Sequence, residues 1–238
     1  MCSTGFTPYG FSLVVKFGGS LMRDIPTCKD AIAELERLVE FGYRILLVPG
    51  GGLPDKAIEA VDASYPLAAF TSHHACALAQ DQTGYLLTDR AFSSKLVATS
   101  ALGECRKISA AGMVPVLLPS RILFAMDPVD WSWDVTSDAV ATWIAWVTGA
   151  ASVAFLTDVD GVYRSGGASE PAELIQHIDA ADLARLGHTC IDACAAQFMA
   201  ARGLTGVVVN GSHANLLRDW LDGKPVKATC ITASGNRD

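Results

Sequence analysis

Four times along this chain an apolar run ends in a glycine-rich polar turn, and that pattern leaves few choices beyond an open α/β sheet with its loops gathered at one edge. Residues 13–20 read Leu-Val-Val-Lys-Phe-Gly-Gly-Ser and residues 45–52 read Ile-Leu-Leu-Val-Pro-Gly-Gly-Gly. Residues 155–163, Phe-Leu-Thr-Asp-Val-Asp-Gly-Val-Tyr, and 207–212, Val-Val-Val-Asn-Gly-Ser, repeat the design. Lys16 is out of place in a buried strand, because a charge in an apolar sheet is costly unless paired, so it is expected to point past the strand end into a polar site. Gly18 and Gly19 let backbone N–H groups approach anionic oxygens, Ser20 adds a donor at the start of the next helix, and Gly50, Gly51 and Gly52 offer a second such turn. A strand-end turn with a snorkelling lysine explains the first motif equally well on its own; its repetition favours a phosphate cradle.

Between these runs strand and helix alternate. Residues 27–41 predict a helix with Ile32, Leu35, Leu38 and Val39 on one face and Gly42 as its stop. Residues 54–61 and 72–87 predict two more, the second alanine-rich and amphipathic, and 114–118 predict a short strand. The expected architecture is a three-layer α/β sandwich with a mostly parallel central sheet. With 238 residues, half of them hydrophobic, the chain can build one large domain or two lobes sharing a sheet, divided near residues 149–152. Residues 165–168, small and glycine-rich, read as a mobile surface loop.

A net charge of −7 argues against a nucleic-acid groove. The seven cysteines include no Cys-x-x-Cys pair and read as reduced, mostly buried thiols. Cys190 and Cys194 stand four apart and could share a helical face, but core packing outweighs a zinc site there. The opening residues have no basic stretch followed by an apolar one, so no signal peptide is read and a cytoplasmic location is expected. Residues 139–157 carry no charge over a length that just crosses a bilayer, yet Gly149 interrupts them and Thr142, Thr148 and Ser152 dilute them. A buried helix feeding a core strand is the better reading, with no membrane partner.

Taken in order, Lys-Phe-Gly-Gly-Ser, Pro-Gly-Gly-Gly, Trp-Asp-Val-Thr-Ser-Asp (133–138), Thr-Asp-Val-Asp-Gly-Val-Tyr (157–163) and Val-Val-Asn-Gly resemble the amino-acid kinase family, the fold of acetylglutamate kinase, aspartokinase and uridylate kinase. Ser72-His73-His74-Ala75 followed by Leu78-Ala79-Gln80-Asp81-Gln82 is similar to the branch that includes the methanofuran-pathway kinase, which converts an aminomethylfuran-methyl phosphate to its diphosphate. The resemblance implies an ATP-dependent small-molecule kinase and a homo-oligomer, with residues 1–149 as acceptor lobe and 150–238 as nucleotide lobe. Mg²⁺ is expected on ATP's own phosphates, since it keeps several waters and seldom needs a protein cage.

By the same resemblance Lys16 contacts the transferring phosphates, Asp138 orients that lysine, and Asp134, Ser137 and His74 face the acceptor. Asp134 is expected to pair with the acceptor's amine. If a helix begins near Asp134, that residue and Asp138 share a face. Consecutive histidines face different directions, and the Ala-x-Ala register after His74 selects it over His73. Thr157, Asp158, Asp160, Gly161 and Tyr163 are implied to line the nucleotide pocket, although turn chemistry alone accounts for Asp158-x-Asp160-Gly161.

Two departures from the family pattern matter. Many members carry a second lysine in a Gly-Met-x-x-Lys segment; here residues 187–194 read Gly-His-Thr-Cys-Ile-Asp-Ala-Cys, leaving Arg164, Arg185 or Arg202 to neutralise charge. The usual Gly-Thr near the C-terminus is Ala228-Thr229. The missing lysine keeps a second reading open, a non-catalytic nucleotide- or oxyanion-binding oligomer like the family's storage proteins. Uridylate- or acetylglutamate-type kinases are further alternatives, the former weakened by the lack of an arginine-rich pattern near Asp134.

Overall fold

The computed structural model describes residues 9–164 and 172–233; the expected loop at 165–168, the opening residues and Cys2 lie outside them. The strands are β1 (Leu13–Phe17), β2 (Ile45–Pro49), β3 (Leu96–Thr99), β4 (Val114–Leu117), β5 (Ser152–Thr157), β6 (Tyr163–Arg164), β7 (Glu173–Leu174), β8 (His177–Asp179), β9 (Thr205–Asn210) and β10 (Thr229–Thr232). Eight of them form one sheet in the order β3-β4-β2-β1-β5-β9-β10-β8, while β6 and β7 form a separate antiparallel pair. The four strands whose turns carry glycine, β2, β1, β5 and β9, are consecutive neighbours and mutually parallel. Their carboxyl ends therefore meet along one sheet edge, as the sequence pattern required.

The helices are α1 (Ile25–Glu40), α2 (Gly52–Ser64), α3 (Ala69–Leu87), α4 (Leu102–Ala110), α5 (Ser120–Met126), α6 (Ser137–Thr148), α7 (Ala180–Arg185), α8 (Ala193–Arg202) and α9 (Leu216–Leu221). Side chains alternate across β1. Leu13, Val15 and Phe17 join one core layer with Cys28, Ile32, Leu35 and Leu38 of α1, whereas Val14 joins the opposite layer with Ala141 and Ile144 of α6 and Met199 of α8. The sheet is thus covered on both faces, which explains strands that read as unbroken apolar runs.

The uncharged stretch at 139–157 resolves as expected into buried α6, a left-handed Gly149 that stops it, and core strand β5. Among the described residues no helix is long and apolar enough to cross a membrane. Three readings need correction. The third helix is not amphipathic in the ordinary sense: Ser72, Gln80 and Thr83 are buried while Phe70, Leu78, Tyr85 and Leu86 are exposed. Its inner face is made of small residues because it lies close on the sheet; a Cβ on Gly84 would stand 2.6 Å from the Leu118 side chain. Cys190 precedes α8, so it shares no helical face with Cys194. The helix expected from Asp134 starts at Ser137 instead, because the Thr136 hydroxyl accepts from Asp138 N–H and caps it there.

Candidate active site

β1 and β2 are parallel neighbours with Phe17 opposite Pro49, so their glycine turns leave the sheet side by side. The turns touch backbone to backbone. A Cβ on Gly19 would stand 2.4 Å from both Cα and N of Gly52, and one on Gly50 would stand 2.9 Å from the Gly19 nitrogen. Gly18 N–H donates to Leu156 O and Gly50 N–H to Phe17 O, each at 2.8 Å, while the Thr83 hydroxyl donates to Gly51 O at 2.9 Å.

Lys16 has the same parity as Val14 and projects to the α6 side of the sheet. There its Nζ lies 2.8 Å from Asp138 Oδ1 in the first turn of α6, with the two side chains 13% and 7% exposed. A charge buried in a strand is tolerated because it is paired. Asp192 holds this first turn in place: its Oδ2 accepts from Thr136 N–H at 3.0 Å, Thr136 Oγ1 at 2.6 Å and Ala139 N–H at 3.2 Å, and its Oδ1 accepts from Ala195 N–H of α8. Asp192 is fully buried, and burial, followed by the nearby Asp138 carboxylate, pushes its pKa up. The acid standing in the lysine-free stretch is therefore a brace between α8 and α6.

Lys16, Gly18, Gly19, Ser20, Gly50 and Gly51 border a cavity of about 370 Å³. Two helical stripes make its walls. Gly52, Asp55, Lys56 and Glu59 of α2 and His73, Cys76, Ala77 and Gln80 of α3 each follow i, i+3, i+4, i+7 spacing. Arg23, Ser137 and His188 stand on the rim, together with Trp133, Val135 and Thr136 of the turn before α6.

Two expected acceptor contacts are not among these walls. Asp134 lies in the exposed turn before α6, bonded to Ser132, because the helix that was to aim it inward has not yet begun. His74 stacks on Phe124 at 4.5 Å and packs on Phe70 and Trp131, and its Nδ1 meets Phe70 O at 2.7 Å. The pair does diverge as consecutive helical residues must, but it is His73 that lines the cavity, its pKa lowered by burial and then by His74.

A second cavity of about 870 Å³ is bordered by Gly161, Tyr163, Arg164 and His177, with His188 shared between the two. Thr157, Asp158 and Asp160 stand beside it rather than in its lining. The Asp160 carboxylate is taken by Lys227 at 2.6 Å and Asn210 at 2.9 Å, and that Lys227 bond, then Asn210, lowers its pKa. Thr229 fixes the loop: its buried hydroxyl accepts from Val162 N–H at 2.8 Å and donates to Ile175 O at 2.7 Å. Gly161, at φ +155°, has no room for a Cβ, which would stand 2.3 Å from that hydroxyl. Within Ala228-Thr229 it is thus the threonine side chain that makes the close approach to the Gly161 turn.

Of the arginines offered as replacement cations, Arg164 borders the second cavity, but Arg185 is paired with Asp182 and Arg202 lies 4.4 Å over the Trp146 ring. The cations beside the first cavity are instead Lys16, Arg23 and Lys56, which the motif reading passed over apart from Lys16. The thiols are held in their neutral form: burial pushes Cys28 and Cys190 up to about 11 and Cys105 to about 12.

The sequence profile of the Amino acid kinase family matches residues 12–210. The chain is 28% identical over 213 residues to the [5-(aminomethyl)furan-3-yl]methyl phosphate kinase of Methanocaldococcus jannaschii, covering 89% of this chain and 93% of that protein. Uridylate kinase from Archaeoglobus fulgidus superposes with a TM-score of 0.72 at 18% identity, covering 93% of this chain and 100% of that one. Aspartate kinase from Synechocystis gives 0.70 at 16% identity, covering 95% of this chain and 40% of that one. The two superposed kinases share this fold, and with the family profile spanning most of its length the chain belongs to the amino acid kinase family.

Proposed function

We propose that this kinase transfers the terminal phosphoryl group of ATP to a phosphate monoester of the aminomethylfuran-methyl class, forming a diphosphate. The observation that carries the reading is the Lys16–Asp138 pair at the foot of a cavity floored by two interlocked glycine turns. The relative over 89% of the chain acts, by its name, on that acceptor. Phosphoryl transfer needs donor and acceptor held in line while cations and N–H groups neutralise spread charge, and it needs little covalent help.

In this reading Lys16, Gly18, Gly19, Ser20, Gly50, Gly51 and Gly52 hold the phosphates and Ser137 faces the acceptor. Asp138 fixes the direction of Lys16 rather than taking a proton. The nucleotide occupies the side of Gly161 and Tyr163, Thr157, Asp158 and Asp160 shaping its loop, so that residues 1–149 bind acceptor and 150–238 bind ATP. The Mg²⁺ of this proposal travels on ATP's phosphates, since it keeps several waters and seldom needs a protein cage. A cytoplasmic homo-oligomer remains part of the proposal. The test is turnover: purified protein with Mg-ATP should convert the aminomethylfuran phosphate to its diphosphate with much higher kcat/KM than uridylate or acetylglutamate. Efficient use of either of those instead overturns the acceptor class, and nucleotide retention without any turnover overturns catalysis.

A further inference from the structure

One cavity holds two opposite kinds of recognition. Around the glycine turns stand N–H groups and the cations Lys16 and Arg23, suited to phosphate. Between the walls of α2 and α3 the chemistry reverses. Asp55 Oδ1 and Gln80 Oε1 are buried there, and neither accepts a hydrogen bond from the protein. Gln80 is 6% exposed and sits on the inner stripe of α3; Asp55 packs under the second turn, where a Cβ on Gly51 would stand 2.5 Å from its own Cβ. Buried acceptor oxygens left without a donor are rare, and two facing one cavity need a shared explanation.

The polar neighbours do not supply it. Lys56, on the same face of α2, is turned to Glu59 at 2.7 Å, and Lys16 is held by Asp138. The Cys76 thiol gives the Asp55 carboxylate a weak hydrogen bond, its proton held by burial and then by that bond, and this still leaves Oδ1 without a donor. Burial in turn raises the pKa of Asp55, and the nearby Glu59 carboxylate adds to it, against the Cys76 hydrogen bond and the more distant charges of Lys56 and Lys16.

We propose that Asp55 Oδ1 and Gln80 Oε1 form the subsite for a primary ammonium group on the phosphoryl acceptor, so that the cavity selects a phosphate monoester that also carries an amine. The assignment rests on reading this cavity as the acceptor site, and it moves the amine contact from Asp134, which lies outside, to the α2–α3 walls. An ammonium brings three donors and one positive charge, matching one carboxylate and one amide oxygen. An analogue without the amine leaves both oxygens buried and unmatched, which is how such sites reject a near-isostere.

Two paired measurements separate this subsite from the substrate reading. Wild type should phosphorylate the aminomethylfuran phosphate with kcat/KM about a thousandfold above its methylfuran analogue. Asp55→Asn should cut that ratio about a hundredfold through KM for the aminated compound, Gln80→Leu should cut it about tenfold, and the methyl analogue should change little in either. Equal losses on both compounds would mean a structural role and overturn the proposal. If the furan compound is not a substrate, the acceptor assignment fails, and calorimetric binding of 3-(aminomethyl)benzyl phosphate against 3-methylbenzyl phosphate decides the subsite by itself. Tighter binding of the amine in wild type, abolished in Asp55→Asn, supports it; equal affinities in wild type refute it.

Discussion

Replacing Lys16 by methionine separates what the lysine does for the fold from what it does for the reaction. Methionine keeps the unbranched stem and removes the charge, leaving the Asp138 carboxylate 7% exposed without its partner at 2.8 Å. Removing one member of a buried pair costs roughly 3–5 kcal/mol, and water in the adjoining cavity puts this case at the lower end, about 3 kcal/mol. For a domain of this size that corresponds to a melting temperature lower by about 6–12 °C. Adding Asp138→Asn removes the stranded charge and should restore about 2 kcal/mol, so the double variant is more stable than the single one. Activity should not follow. A cation aimed at transferring phosphates contributes about 3–4 kcal/mol to the transition state, so both variants should lose at least a few hundredfold in kcat. Urea denaturation and single-turnover kinetics on wild type, both single variants and the double close the cycle. Additive stability changes would refute the energetic coupling of the pair, and a double variant that recovered kcat along with stability would show that Lys16 never touched the phosphates.

Gly19→Ala drives a Cβ into the backbone of Gly52, so nucleotide and phosphate affinity should fall at least tenfold while the circular dichroism spectrum is kept; unchanged KM for ATP would contradict the interlocked turns. Asp192→Ala removes the brace shared by α6 and α8 and should cost about 3–5 kcal/mol, with kcat lowered at saturating ATP; an unaltered denaturation midpoint would refute the brace. Asp55 has a pKa raised above the carboxylate value of 3.8, so the folded chain keeps a proton that the unfolded chain has already lost. Its contribution to stability must fall as pH rises from 3.8 through the raised value, and Asp55→Asn should gain on wild type across that window; a constant stability difference between the two from pH 3 to 7 would rule this out.

The floor of the site was legible in the sequence because each strand announced its own end. Glycines after β1 and β2 and the Asp-Val-Asp-Gly after β5 are contiguous words, and Lys16 is conspicuous as the charge in an apolar run. The walls were not legible in the same way. Asp55 and Cys76 belong to helical stripes whose spacing is normal but whose members are polar or small, so a search for apolar periodicity passes over them, and Gln80 stands out only as part of a motif, with no direction assigned to its side chain. The α6 start was misplaced by two or three residues for a local reason: Asp134 and Thr136 are both good caps, and only the long-range bonds from Asp192 decide between them. The Ala-x-Ala register selects His74 over His73, and the choice reverses once Phe70, Phe124 and Trp131 are seen to claim His74. Arg23 and Lys56 carry no motif at all: Arg23 ends the short 3-10 turn after β1 and Lys56 stands near the start of α2.

The two glycine turns lean on each other with main chain alone, and nothing in that contact can rotate. The spacing of the two turns, the phosphate seat of the proposed reading, is therefore inherited from the spacing of β1 and β2, two strands with buried apolar side chains. Much of the remaining wall comes from the side chains of α2 and α3, which carry both signs of charge, Lys56 beside Asp55 and Glu59. On the proposed reading, a molecule divided in this way would exchange one small phosphate ester for another by altering two helical stripes, with the seat of the transferred group left as it is.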